Sequence, residues 1–173
     1  MIVLAGDPSL TAFGYVVYNE STKVILEMGC LKTAKEKGAV TKSDQNRLTF
    51  IAQELVRLIS EHNVDQIVVE IPIGAKSFNA AKALFSIRAL IIGVAVAQQV
   101  DIQTLGAKNI KEFLVGDKNA DKELVFSEVV KSFPQIKEPV LKMTKEKRMA
   151  ISDAIAVYLT YRNIKARSQE SST

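Results

Sequence analysis

Residues 4–19, LAGDPSLTAFGYVVYN, place one aspartate between two strand-like stretches. Asp7 follows the apolar run Ile2–Ala5, and Pro8 and Ser9 break that run at once. The alternation resumes over Phe13–Asn19. A carboxylate at the inner end of a buried strand is costly unless it is paired or holds a cation. The reading therefore turns on whether later carboxylates come to the same place.

Working outward, YNEST supplies turn chemistry between the second strand and a third over Lys23–Lys32, so these two form a hairpin. KEKGAVTKSD reads as a loop, with Ser43 or Asp44 capping a helix through Leu48, Ile51, Leu55, Leu58 and Ile59. Val64–Glu70 reads as a buried strand ending in an acid and stopped by Pro72 and Gly74. Ala80–Gln98 is a helix apolar on most sides, as in one deeply buried or shared with a second subunit. A short strand follows at Asp101–Thr104, then a short helix ending near Gly116 and another at Asp121–Phe133. PQIKEPVLKMTKEK is a connection, and Lys147–Ile164 is the final helix. The order βββ-α-β-α-β-α gives the expected class: α/β, a ribonuclease H-like fold, with a mixed five-stranded sheet and helices on both faces. One domain over residues 1–165 and a frayed tail over 166–173 complete the expectation.

Composition narrows the chemistry. A net charge of +4 and a pI near 9.1 are mildly basic and do not by themselves indicate nucleic acid. The single cysteine, Cys30, excludes an internal disulfide and a cysteine-rich zinc site; it reads as a small apolar residue in a strand. His62, the one histidine, reads as a helix-end cap. No signal-peptide pattern opens the chain, and the apolar stretch ALIIGVAVA falls short of the roughly 20 residues that span a bilayer. The expected setting is cytoplasmic, with no membrane partner.

Three acids remain: Asp7, Glu70 and Asp153, the last within KRMAISDAIAVYLTY. In a ribonuclease H-like sheet the first and fourth strands are neighbours, and the final helix crosses near their ends. Each acid alone has an ordinary role as turn former, strand end or cap. Together, three converging carboxylates need a cation, and oxygen-only ligands suit Mg²⁺ or Mn²⁺. Two such ions per site are the expected complement for phosphodiester hydrolysis.

The segments GDPSLTAFGYVVY, IVVEIPIGAKSFNAAKAL, AKNIKEFLVGDKNADKELV and SDAIAVYLTY resemble the RuvC family of Holliday junction resolvases, particularly its shorter phage-type members. The resemblance implies a homodimer that cuts a four-way DNA junction by paired symmetric nicks. It places Lys111 and Lys122 at the scissile phosphate, where they offset transition-state charge. The family's fourth ligand falls at Ala150, three residues before Asp153 and on the same helix face. Either three acids suffice, with Glu146 one turn earlier as a substitute, or alanine replaces an acid and disables the site. The family's junction-probing aromatic is absent after Glu70, leaving Phe78 as the candidate wedge. Expected DNA contacts are Lys76, Phe78, Lys82, Lys108, Lys118, Lys142, Lys145, Lys147 and Arg148, basic groups flanking an acidic centre. The alternatives are a broader nuclease for flaps and forks, or a junction-binding protein without catalysis. A sugar-kinase-type ATPase shares the opening Gly-Asp…Gly pattern but needs a second phosphate-binding repeat, for which 173 residues leave no room.

Overall fold

A computed structural model describes residues 1–34, 40–71 and 77–170. The strands are β1 (Ile2–Asp7), β2 (Ala12–Asn19), β3 (Val24–Lys32), β4 (Gln66–Ile71) and β5 (Asp101–Gly106). The helices are α1 (Val40–His62), α2 (Phe78–Ala97), α3 (Ala107–Val115), α4 (Lys122–Ser132), α5 (Lys137–Leu141) and α6 (Lys145–Glu170). One sheet runs β3-β2-β1-β4-β5. β2 is antiparallel to both β1 and β3, whereas β4 is parallel to both β1 and β5. This is the mixed, ribonuclease H-like sheet that the sequence predicts.

Strand side chains alternate between two faces, and here both faces are buried. Leu4, Val17, Ile67 and Val69 pack against α1 and α2 with Ile51, Leu55, Leu58, Ile87 and Ile91. Val3, Ala5, Val16 and Val68 pack on the other face against α3, α4 and α6, with Ile110, Val125, Ile151 and Ile155. Burial on both sides explains why β1 and β4 read as continuous apolar runs. On the α6 face, Tyr18, Phe133 and Tyr158 form an aromatic cluster with centroid separations of 4.4 to 6.2 Å. Such rings add about 0.5–1.5 kcal/mol per pair beyond their buried area. They fix α6 on β2 two turns beyond Ala150.

Several boundaries differ from the sequence reading. β1 runs on to Asp7, which pairs with Gly14. α1 starts at Val40, so Ser43 and Asp44 lie inside it; Asp44 there pairs with Arg47 at 3.3 Å. The expected connection after Phe133 contains a 3-10 turn at Pro134–Ile136 and then α5. α6 extends to Glu170, so residues 166–170, expected to be frayed, are helical. Cys30 is only half-buried on β3.

α2 is fully buried along one edge only. At 20 residues it is long and apolar enough to cross a bilayer by length and composition, although the stretch ALIIGVAVA alone is not. Its buried edge, Ile87, Ile91, Val94 and Ala95, docks on the sheet. Phe78, Phe85, Ile92 and Val96 stand exposed.

Candidate active site

The strand alternation that buries Val3 and Ala5 against α6 carries Asp7 to the same face, and Val68 does the same for Glu70. Parallel pairing of β1 with β4 sets the two strand ends side by side. α6 then delivers Asp153 from above, on a helix whose neighbours Ser152 and Ala154 are buried. The three acids line one cleft together with Lys111, Lys122, Ala107, Ile110, Val125 and Ala156.

The electrostatics are those of crowded carboxylates. Burial, then the charge of Asp153, pushes Asp7 up to about 6, with Lys122 pulling the other way. Burial, then Asp7 and Asp153, pushes Glu70 up to about 7, against Lys122 and Lys111. Desolvation and like charge act in the same direction on both groups. Lys122 Nζ donates to Asp153 Oδ2 at 2.6 Å. Burial would lower the lysine, but that bond and the surrounding carboxylates outweigh it, so its pKa is raised.

Lys111 acts differently. Its ammonium donates to the carbonyl oxygen of Ala120 at 2.6 Å, holding the turn that leads into α4. Asp121 caps α4 by accepting from the Leu124 amide, so Lys122 opens the helix facing the acids. Lys145 pairs with Glu123 at 3.1 Å, tying the start of α4 to the start of α6.

The remaining predicted residues spread more widely. Lys108 and Lys118 are exposed on α3 and on the turn after it. Lys142 pairs with Glu138 at 3.7 Å. Lys147 is exposed, while Arg148 is half-buried with its guanidinium 5.6 Å over the Phe126 ring. Lys82 lines a groove between α1 and α2. Phe78, 84% exposed, starts α2 after the Ser77 cap. Lys76 lies outside the described residues.

Ala150 is buried with its backbone against β2. Glu146, the substitute ligand, is instead engaged by Lys32 of β3 in an ion pair. It does not line the cleft that holds Asp7, Glu70 and Asp153.

Two features escaped the sequence reading. Arg47, 6% exposed, donates to the Leu10 carbonyl and to Thr33 Oγ1, each at 2.9 Å. It latches the loop after Asp7 to α1. On the α1 face of the sheet, Glu27, Glu61 and His62 offer three ligand atoms within 4.8 Å of one another, a set able to hold a divalent cation. Arg57 already bonds both carboxylates there, and His62, in the last turn of α1, places Nε2 2.9 Å from Glu27 Oε2 and so joins this network from the helix end. Arg57, the largest influence, holds Glu27 down at about 2 against the opposing effect of burial.

The family model for the crossover junction endodeoxyribonuclease RuvC matches residues 3–161. RuvC of Trichlorobacter lovleyi is 30% identical over 165 residues, covering 94% of this chain and 85% of that protein. RuvC of Baumannia cicadellinicola is 27% identical over 162 residues, covering 92% and 86%. Among solved structures, Thermus thermophilus RuvC superposes with a TM-score of 0.77 at 20% identity, over 97% of both chains. The same protein in complex with Holliday junction substrate gives 0.74 over 92% of both. These structural likenesses speak for the fold, and the sequence match spans the strands and helix that carry all three acids. The chain belongs to the RuvC family of crossover junction endodeoxyribonucleases.

Proposed function

We propose that this chain is a divalent-cation-dependent endonuclease that resolves four-way DNA junctions by paired symmetric nicks, acting as a homodimer in the cytoplasm of a bacterial or phage-infected cell. The observation that carries the reading is the convergence of Asp7, Glu70, Asp153 and Lys122 in one cleft. The donor set is all oxygen, and two of its members resist ionisation without a counter-charge. It fits Mg²⁺ or Mn²⁺, with two ions as the expected complement. When bound, such ions supply an activated water and stabilise the leaving oxygen of a phosphodiester.

The chain's own residues do the rest. Asp7 and Glu70 present carboxylates from rigid strand ends, and Asp153 closes the set from α6. Lys122 exchanges its bond to Asp153 for the non-bridging oxygens of a phosphate entering the cleft, lending positive charge as the transition state gains negative charge. Lys111, anchored on Ala120, keeps the turn in place and adds charge from one side. Lys108, Lys118, Lys142, Lys145 and Lys147 would guide the DNA backbone. The stripe of Phe78, Phe85 and Ile92, spaced seven residues apart on α2, supports pairing with a second copy, whose two-fold axis would match that of a junction.

Ala150, with Glu146 held by Lys32, favours a second reading: junction binding without cleavage. The test is cleavage of synthetic four-way junctions, flaps and forks in Mg²⁺ or Mn²⁺ by the wild type, Asp7→Asn and Ala150→Asp. Symmetric nicks confined to junctions and lost in Asp7→Asn support the nuclease. Binding without cleavage, with activity only in Ala150→Asp, supports the second reading. No junction preference in any variant refutes both.

A further inference from the structure

Resting on the three-acid reading, the site has to bring together carboxylates borne on two different layers: Asp7 and Glu70 on the sheet, Asp153 on α6. We infer that Gly14 is the positioning residue that sets how deeply α6 docks, and thereby where Asp153 stands relative to Asp7. Gly14 is the β2 residue paired with Asp7, and the alternation through Val16 and Tyr18 turns it toward α6. A Cβ at Gly14 would lie 1.9 Å from the Ala150 carbonyl oxygen, 2.4 Å from its carbonyl carbon and 3.1 Å from its Cα. These are backbone atoms of a helix, which have no rotamer to turn aside. Ordinary contact begins at 3.4 Å, so a methyl group there requires the helix and strand to part by about 1.5 Å.

The requirement is for space and not for conformation. Among the described glycines only Gly116 has a positive φ, so alanine fits the backbone at position 14 without strain. Other glycines behave differently. A Cβ at Gly29 comes closest to the hydroxyl end of the Tyr15 side chain, at 2.7 Å, and one at Gly93 meets nothing within 4 Å. Ala150 is one helical turn from Asp153, so the contact bears on α6 next to the ligand. Two turns further along, the Tyr18–Phe133–Tyr158 cluster pins the helix. A methyl at Gly14 therefore tilts α6 about that cluster and lifts its Asp153 end. Metal ligands tolerate about 0.2 Å of displacement, and a misplacement of about 1 Å at a reacting centre costs on the order of 100-fold in rate.

The test compares the wild type, Gly14→Ala and Gly29→Ala by crystal structure, calorimetric Mn²⁺ titration, thermal unfolding in chelator and single-turnover junction cleavage. In Gly14→Ala, Asp153 is expected to move by about 1 Å and Mn²⁺ affinity to fall about tenfold, with cleavage about 100-fold slower. Gly29→Ala is expected to lose thermal stability while keeping Mn²⁺ affinity, because its methyl meets the Tyr15 side chain on β2. An unmoved α6 in Gly14→Ala, or unchanged Mn²⁺ affinity, overturns the inference. So does a Gly14→Ala chain that fails to fold where Gly29→Ala folds, because the contact then supports the fold rather than the site. If the wild type cuts no junction, the nuclease reading fails, and the crystal structures still decide the role of Gly14.

Discussion

Replacing Glu70 by glutamine should make the cation-free protein more stable while removing its response to metal. In the folded chain Glu70 ionises near 7 and not at its ordinary 4.5, because it is buried beside Asp7 and Asp153. A carboxyl whose folded pKa is raised holds its proton more tightly in the native state. Its favourable contribution is complete below about 4.5 and is lost as the pH rises through about 7. At 1.36 kcal/mol per tenfold change in the proton equilibrium, ionised Glu70 costs up to about 3 kcal/mol at pH 8. Solvent reaches part of the carboxyl, which reduces the figure to about 1–2 kcal/mol. For a chain of this length that corresponds to roughly 3–6 °C in Tm. Urea and thermal unfolding in chelator at pH 8 should therefore rank Glu70→Gln above the wild type, and the gap should close as the pH falls to 5. Adding Mg²⁺ should raise the wild type and leave the variant nearly unmoved. A Glu70→Gln protein no more stable than the wild type at pH 8, or a gap independent of pH, would refute the account of crowded, uncompensated carboxylates.

Lys122→Ala, which removes the partner of Asp153, should slow single-turnover junction cleavage by about 100-fold or more while leaving junction affinity within a few-fold, as measured by quench kinetics and gel shift. Glu27→Gln tests the network on the other face. Because Arg57 holds Glu27 at about 2, its contribution is present above 4.5 and is lost as the pH falls through 2. The variant should thus be less stable than the wild type by about 1 kcal/mol in urea at pH 7, with the difference shrinking toward pH 2. Phe85→Glu, at a ring 69% exposed on α2, should convert a dimer into a 19.0 kDa monomer in sedimentation equilibrium. A wild type that already sediments as a monomer would remove the basis for the paired-subunit reading.

The strands were legible because both faces of the sheet are buried, which leaves uninterrupted apolar runs ending in acids at Asp7 and Glu70. Asp153 was legible because it interrupts an apolar helix face. The less visible features depend on long-range meetings that no local pattern encodes. Lys32 and Glu146 stand 114 residues apart and meet only because α6 crosses β3. Lys111 resembles a surface lysine until the turn at Ala120 folds over it. Arg47 disappears into the protein because the Leu10 carbonyl and the Thr33 hydroxyl converge on α1. The helix over residues 137–141 was hidden by Pro139, which a first helical turn accommodates. Residues 166–170 continue α6, and Arg167 there stacks 5.0 Å over Phe113 of α3.

The parallel pairing of β1 with β4, capped by α6, has a consequence for how the protein is made. Asp7 and Glu70 come together once β4 has docked, but Asp153 lies 83 residues further along the chain. At ribosomal rates of about 5–20 residues per second, roughly 4–17 s separate the synthesis of the second acid from that of the third. During that interval β5 completes the five-stranded sheet, so every strand precedes the last acid. The three-acid set therefore stays incomplete until α6 has been made, and arrested or truncated products that stop short of α6 carry no Asp153.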